Sequence, residues 1–181
     1  MQHTPERLLA TTTRSTFELL ALLYAEPAHA PPAGGASHEA LGNGALLARV
    51  PFAGVAGGEA VEGALVVGVS RAVADALAEN MLGGAAGDAQ RRDALGEFAN
   101  VVCGHVLSEA GGPAAVFSLG APEHGSPEHD SPEHGTSAGF SPHAWQAWLD
   151  VECGVACVAL DAPASLFVAT AARTPAAGVG A

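Results

Sequence analysis

Four polar or small residues are spaced so that they share one side of a predicted helix: Asp93, Glu97, Asn100 and Gly104. At 3.6 residues per turn their positions fall within an arc of roughly 60°. A carboxylate accepts hydrogen bonds, whereas a carboxamide both donates and accepts them. The set, called here the polar stripe, is therefore equipped to bind a polar group or a water molecule, although its spacing alone names no reaction.

The residue types in the polar stripe are unusual for a solvated helix face. Asn and Gly are poor helix-interior residues, and a surface selected for stability would favour Glu, Lys or Ala. Gly104, one turn beyond Asn100, leaves a notch that allows another molecule's backbone to approach. We interpret the stripe as a docking edge. The alternative is that Asp93 and Glu97 are ordinary solvated acids and Asn100 is a tolerated polar residue.

The helix that carries the stripe is predicted to begin at Asp88 and to end near Glu109, before the pair Gly111-Gly112. Its other side is apolar and is expected to face a core. The residues of this apolar arc are Leu95, Phe98, Ala99, Val102 and Val106.

Several further elements are predicted around this helix. A first helix begins at Thr4 as N-cap with Pro5 in its first turn and runs to about Tyr24. Ser70 is expected to cap a second helix that ends at Gly83-Gly84. Strands are predicted at residues 46–52 and 60–69 around the turn Gly57-Gly58, at 114–119, near 145–151, at 155–160, and at 166–169.

Composition bounds the function. The chain has 181 residues, 49% hydrophobic, and a formal net charge of −12 with only 7 Lys and Arg, which argues against nucleic-acid binding. No apolar run approaches the ~20 residues needed to cross a membrane, so we expect a cytoplasmic protein.

We predict one α/β domain over residues 1–172, with flexible inserts at 26–43 and 121–142 and a flexible tail at 173–181. The second insert repeats the unit Pro-Glu-His three times.

The run from Asp93 to Gly104 resembles the signature of the CheC/CheX/FliY phosphatases: Asp or Ser, three residues, Glu, two residues, Asn, and a later proline, which Pro122 supplies approximately. The order of elements also looks like CheX. The resemblance implies an α+β domain in which long helices pack on an antiparallel sheet. It covers residues 16–160.

The same resemblance implies a function. The chain would be a phosphatase that hydrolyses the aspartyl phosphate of a CheY-type response regulator in chemotaxis-like signalling. Glu97 would contact the receiver's active-site lysine, Asn100 would be the inserted catalytic amide, and Asp93 and Gly104 would belong to the docking surface. The Mg²⁺ would be the receiver's, so no cofactor or metal of the chain's own is expected. CheX relatives form dimers, which implies a homodimer here.

A second signature occurs on the first helix of CheC-type members, and the corresponding residues here are Arg14, Glu18 and Ala21. Alanine stands where asparagine would be needed, so we expect one active site. Three alternatives remain. The chain could be a non-catalytic module that binds a response regulator or its own copy, or a free-standing scaffold domain of unknown partner. The Pro-Glu-His units could also bind zinc or nickel.

Overall fold

Three long helices pack against one face of an antiparallel sheet in the computed structural model, which describes residues 4–28, 40–84, 87–125 and 144–167. The helices are α1 (Pro5–Leu20), α2 (Arg71–Leu82) and α3 (Asp88–Gly111). The strands are β1 (Ala25–Pro27), β2 (Leu46–Ala56), β3 (Glu59–Val69), β4 (Val116–Leu119), β5 (Glu123–Gly125), β6 (Trp145–Val151) and β7 (Gly154–Asp161). The α+β fold and the antiparallel sheet expected from the sequence are confirmed.

The sheet is built around the long hairpin β2–β3. Its strands pair from Leu46↔Val69 to Ala56↔Glu59, and Gly57 and Gly58 form the turn with φ values of 60° and 87°. Glycine adopts such angles at no steric cost, which favours this tight turn. The strand order is β1-β6-β7-β3-β2-β4, and β5 pairs with the other half of β2.

The core lies between the helices and one face of this sheet. Side chains alternate along β2, so that Ala48, Val50 and Phe52 point into the core beneath the helices. Helix α3 contributes its predicted apolar arc to the same cluster. Phe98 of α3 meets Phe17 of α1 with ring centroids 4.4 Å apart, and both side chains are fully buried. This packing fixes which side of α3 faces outward.

Local backbone geometry explains where helix α1 begins and where it ends. Thr4 is the N-cap of α1, as predicted, because its hydroxyl oxygen accepts a hydrogen bond from the Arg7 backbone N–H. The helix ends at Leu20 rather than near Tyr24. Leu22 has a φ of 54°, which lies outside the helical region, and strand β1 begins at Ala25.

The strand predicted at residues 166–169 is wrong for the part that the structure describes. Residues 165–167 form a helical turn, in which the Leu166 N–H donates to the Pro163 carbonyl. Leu166 is fully buried, and the ring of Phe167 meets Trp145 edge-on at 4.7 Å. The apolar run thus packs as a turn against the sheet instead of pairing with it.

Both ranges predicted as inserts contain residues that belong to strands. Glu26 and Pro27 belong to β1, which pairs with β6, and Glu123–Gly125 forms β5. The first Pro-Glu-His unit is therefore part of the sheet at its second and third residues. The other two units, most of the first insert and the predicted tail lie outside the described residues.

Candidate functional site

The structure brings the four residues of the polar stripe together on the outward side of α3. Asp93 and Glu97 are exposed, and Asn100 and Gly104 are partly exposed. The opposite side of the helix is buried against α1 and the sheet. The stripe is thus a narrow, convex surface along a rigid helix.

The start of α3 is tied to α2 by an ion-pair network. Arg91 donates to Asp75 of α2 and to Asp88, the latter at 2.7 Å, and Arg71 lies 3.6 Å from Asp75. The hydrogen bond to Asp75 contributes most to raising the pKa of Arg91 above its usual value. These contacts lie just before Asp93, so they hold the start of the stripe in place.

Asn100 carries an unsatisfied polar atom. Its side-chain oxygen Oδ1 is buried and has no hydrogen-bond partner among the described residues. Leaving a buried acceptor unpaired costs about 1–3 kcal/mol, and such groups are rare in native proteins. The amide is therefore half-buried at rest rather than fully projecting, with an acceptor that is free to bond to an incoming donor.

The two glycines of α3 nearest the stripe have opposite surroundings. A Cβ built on Gly104 would meet nothing within 4 Å. A Cβ built on Gly96 would lie 3.0 Å from Cε1 of His124 and 3.2 Å from Cβ of Pro122. Gly104 therefore opens a notch toward the exterior, whereas Gly96 admits another segment of this same chain.

His124 was missed by sequence reasoning, which assigned it to a low-complexity loop. Burial is the main cause that lowers its pKa, Arg92 lowers it further, and Asp93 acts in the opposite direction. The imidazole thus lies beside the first residue of the polar stripe. A strand of three residues gives too short an alternation for the sequence to reveal this.

The corresponding positions of α1 are arranged differently. Glu18 accepts a hydrogen bond from Arg14 at 3.0 Å, and Ala21 is fully buried at the end of the helix. The acid is therefore paired with a cation, and the residue at position 21 carries no amide; that the chain has one active site stays a prediction.

A cleft of about 990 Å³ lies on the other face of the sheet, where Arg49, Glu62 and Asp161 contribute to its lining. In the described parts of the chain no group of three or more His, Cys, Asp or Glu residues is placed to hold a metal ion. Nor is any helix there long and apolar enough to cross a membrane.

Comparisons with known proteins find one matching family model and several solved structures of similar fold. The family model of the chemotaxis phosphatase CheX matches residues 50–126, which include the whole polar stripe and β5. The chain is similar to CheX from Vibrio vulnificus, with a TM-score of 0.60 and 16% identity over 90% of this chain and 99% of that one. A comparison with curated proteins gave no match.

Two further solved structures have the same fold. CheX from Desulfovibrio desulfuricans has a TM-score of 0.59 and 16% identity, over 88% of this chain and 99% of that one. The CheX-CheY-BeF3-Mg²⁺ complex from Borrelia burgdorferi gives 0.59 and 13%, over 88% and 98%. Over the stripe the chain is thus similar to the CheX family, and its fold is the one found in CheX, CheC-like proteins and FliY.

Proposed function

We propose that this protein is a phosphatase that hydrolyses the aspartyl phosphate of a CheY-type receiver. The observation that carries the proposal is the exposed polar stripe, in which an acid lies one turn before an amide whose oxygen lacks a partner. A convex helix face cannot enclose a small molecule, because small-molecule sites are concave. It can instead enter a pocket that belongs to another protein.

The chemistry requires little from this chain. A receiver's acyl phosphate already has its metal, lysine and leaving group, and it lacks a water held in line with phosphorus. The Asn100 amide can hold that water by donating and accepting hydrogen bonds. An aspartate there would add negative charge beside the phosphoryl oxygens and oppose attack. Glu97, which is exposed, would pair with the receiver's lysine and set the depth of docking.

The partly buried amide requires one conformational step. Asn100 Oδ1 must turn out of its resting place as the receiver docks, and a side-chain rotamer change of this kind takes picoseconds to nanoseconds. The unpaired acceptor favours this step, since it gains a hydrogen bond by leaving its resting place.

The Mg²⁺ belongs to the receiver in this proposal, and the reaction takes place in the cytoplasm. A homodimer stays a prediction from the resemblance.

The test is the rate of phosphate release from phosphorylated receivers of the same cell, with wild type and with Asn100→Ala. An enzyme that accelerates hydrolysis about a hundredfold lowers the barrier by ~2.7 kcal/mol, and Asn100→Ala should remove most of this gain while binding is kept. Glu97→Gln should weaken docking. Its matched control is Glu109→Gln, an exposed acid of α3 that lies off the stripe.

Three results are distinguishable. Loss of turnover in Asn100→Ala with retained binding supports the phosphatase. Binding of a receiver without any acceleration, in wild type as in the variant, would support the non-catalytic docking module instead. Identical behaviour of Glu97→Gln and Glu109→Gln would show that the stripe is not the docking surface.

A further inference from the structure

His124 occupies the space that a side chain at position 96 would fill. Its ring atoms Cε1 and Nε2 lie 3.0 Å and 3.3 Å from the position of a Cβ on Gly96. Gly96 itself lies three residues after Asp93 and four before Asn100, so it is a neighbour of both on the helix surface. Strand β5 thus adds an imidazole to a helix face that has no side chain of its own there.

The alternation of β5 determines this placement. Glu123 lies opposite Arg49 of β2, and their side chains form an ion pair at 2.9 Å on the outer face of the sheet. The next residue, His124, lies opposite the fully buried Ala48 and faces α3. Cβ of Pro122 lies 3.2 Å from the same Cβ position on Gly96. In the first Pro-Glu-His unit, therefore, the glutamate pairs with the sheet through Arg49, and the proline and the imidazole pack beside Gly96 of α3.

The imidazole remains open to solvent although one side of it rests on α3. His124 is exposed, and the charged groups that face it are Arg92 and Asp93 of α3, while the Arg49–Glu123 pair occupies the other face of the sheet. Burial, and then the nearby Arg92, lower its pKa below the ordinary value for histidine, which favours the neutral ring at pH 7. A neutral imidazole can donate one hydrogen bond and accept another.

We propose that His124 is a specificity-determining residue that contacts the receiver docked on the polar stripe. This inference rests on the proposed function. A stable interface covers about 800 Å² on each partner, equivalent to a patch with a radius of about 16 Å. Helix neighbours at positions i and i+4 lie only about 5–6 Å apart. A receiver that covers Glu97 and Asn100 must therefore also cover the imidazole over Gly96.

The expected effect is on recognition and not on the chemical step. Removing His124 takes away a contact about one helical turn from the catalytic amide and leaves Asn100 in place. In phosphate-release assays we expect His124→Ala to raise the KM for the phosphorylated receiver about five- to tenfold, with kcat within twofold of wild type. His129→Ala, which changes the same residue of the next Pro-Glu-His unit, is the matched control and should leave both constants unchanged.

Protonation provides a second readout. A charged imidazole would have to lose its hydration when the receiver covers it, and it would add a cation beside Arg92. Receiver affinity of the wild type should therefore fall as the pH drops from 7 to below 6.5. His124→Gln keeps hydrogen-bonding groups without titrating, so the ratio of wild-type to variant affinity should change across this range. A merely structural role for His124 would leave this ratio constant.

The outcomes separate this inference from the function on which it rests. If Asn100→Ala loses turnover while His124→Ala and His124→Gln keep the wild-type KM and pH profile, the inference about His124 is overturned and the phosphatase stands. If Asn100→Ala behaves as the wild type, the proposed function fails. Thermal melting of each variant identifies a folding defect, and His124→Gln supplies the pH comparison should His124→Ala not fold.

Discussion

Replacing Gly104 by alanine should make this protein more stable and weaken its proposed phosphatase activity. A Cβ at Gly104 meets nothing within 4 Å, so the substitution introduces no clash within the described part of the chain. Glycine inside a helix is less favourable than alanine by about 0.8–1.0 kcal/mol. For a chain of this size such a gain corresponds to a rise in Tm of about 2–4 °C.

The same methyl group should interfere with docking. It fills the notch one turn beyond Asn100, where the receiver's backbone is proposed to approach, and a forced overlap in a packed interface costs about 1–3 kcal/mol. The KM for the phosphorylated receiver should rise about tenfold, which corresponds to ~1.4 kcal/mol. The assay is phosphate release at several receiver concentrations, together with thermal unfolding followed by circular dichroism.

Gly96→Ala is the matched control for helix propensity. It makes the same chemical change on the same helix, but its Cβ would lie 3.0 Å from His124 and 3.2 Å from Pro122. We expect its propensity gain to be offset by displacement of β5, so that Tm does not rise. A Gly104→Ala variant with raised Tm and wild-type KM would refute the docking role of the notch. A lowered Tm would contradict the finding that a Cβ at Gly104 has no neighbours within 4 Å.

Three further predictions concern stability and thiol chemistry. Asn100→Ala should raise the free energy of unfolding by about 1 kcal/mol in urea titrations, because it removes an unpaired buried oxygen and improves helix propensity; a destabilised variant would mean that the amide is satisfied in solution. Phe17→Ala should lower the same quantity by about 3–5 kcal/mol, because it empties the space against Phe98, and a loss below 1 kcal/mol would contradict this packing. Burial raises the pKa of the Cys103 thiol from 9.0 to about 12, so the unfolded chain releases this proton first. Stability should therefore fall as the pH rises from 9 to 12, less steeply in Cys103→Ala; equal slopes would contradict the shift.

The sequence predicts most of the elements that position the site, and the reason differs from one to the next. Helix α3 spans 24 residues, and its outward stripe follows from the helical spacing of the apolar residues Leu95, Phe98 and Val102 on the opposite side. The hairpin β2–β3 follows from two β-type runs around Gly57-Gly58. These features depend on residues that are close together in the sequence, and they can therefore be predicted from the sequence alone.

The features that were missed depend on contacts between distant segments. His124 belongs to a unit that occurs three times with the same residues, so nothing in the repeat indicates which copy joins the sheet. The run 166–169 has a strand-like composition, but packing against Trp145 makes its described part a turn. The burial of Asn100 Oδ1 is likewise a tertiary property, because helical spacing places the residue at the margin of the stripe without orienting its amide.

The site is also where this chain departs from the rules that stabilise helices. Asn100 leaves an acceptor unpaired, Gly104 forgoes a side chain in open space, and Gly96 forgoes one so that His124 can take its place. The unpaired acceptor of Asn100 and the missing side chain at Gly104 both lower the stability of the helix, and such departures are expected where function conflicts with folding. Since all three lie on adjoining positions of one face, a common cause is more economical than three separate ones. A protein partner that requires an amide, a notch and an imported imidazole on the same surface is such a cause.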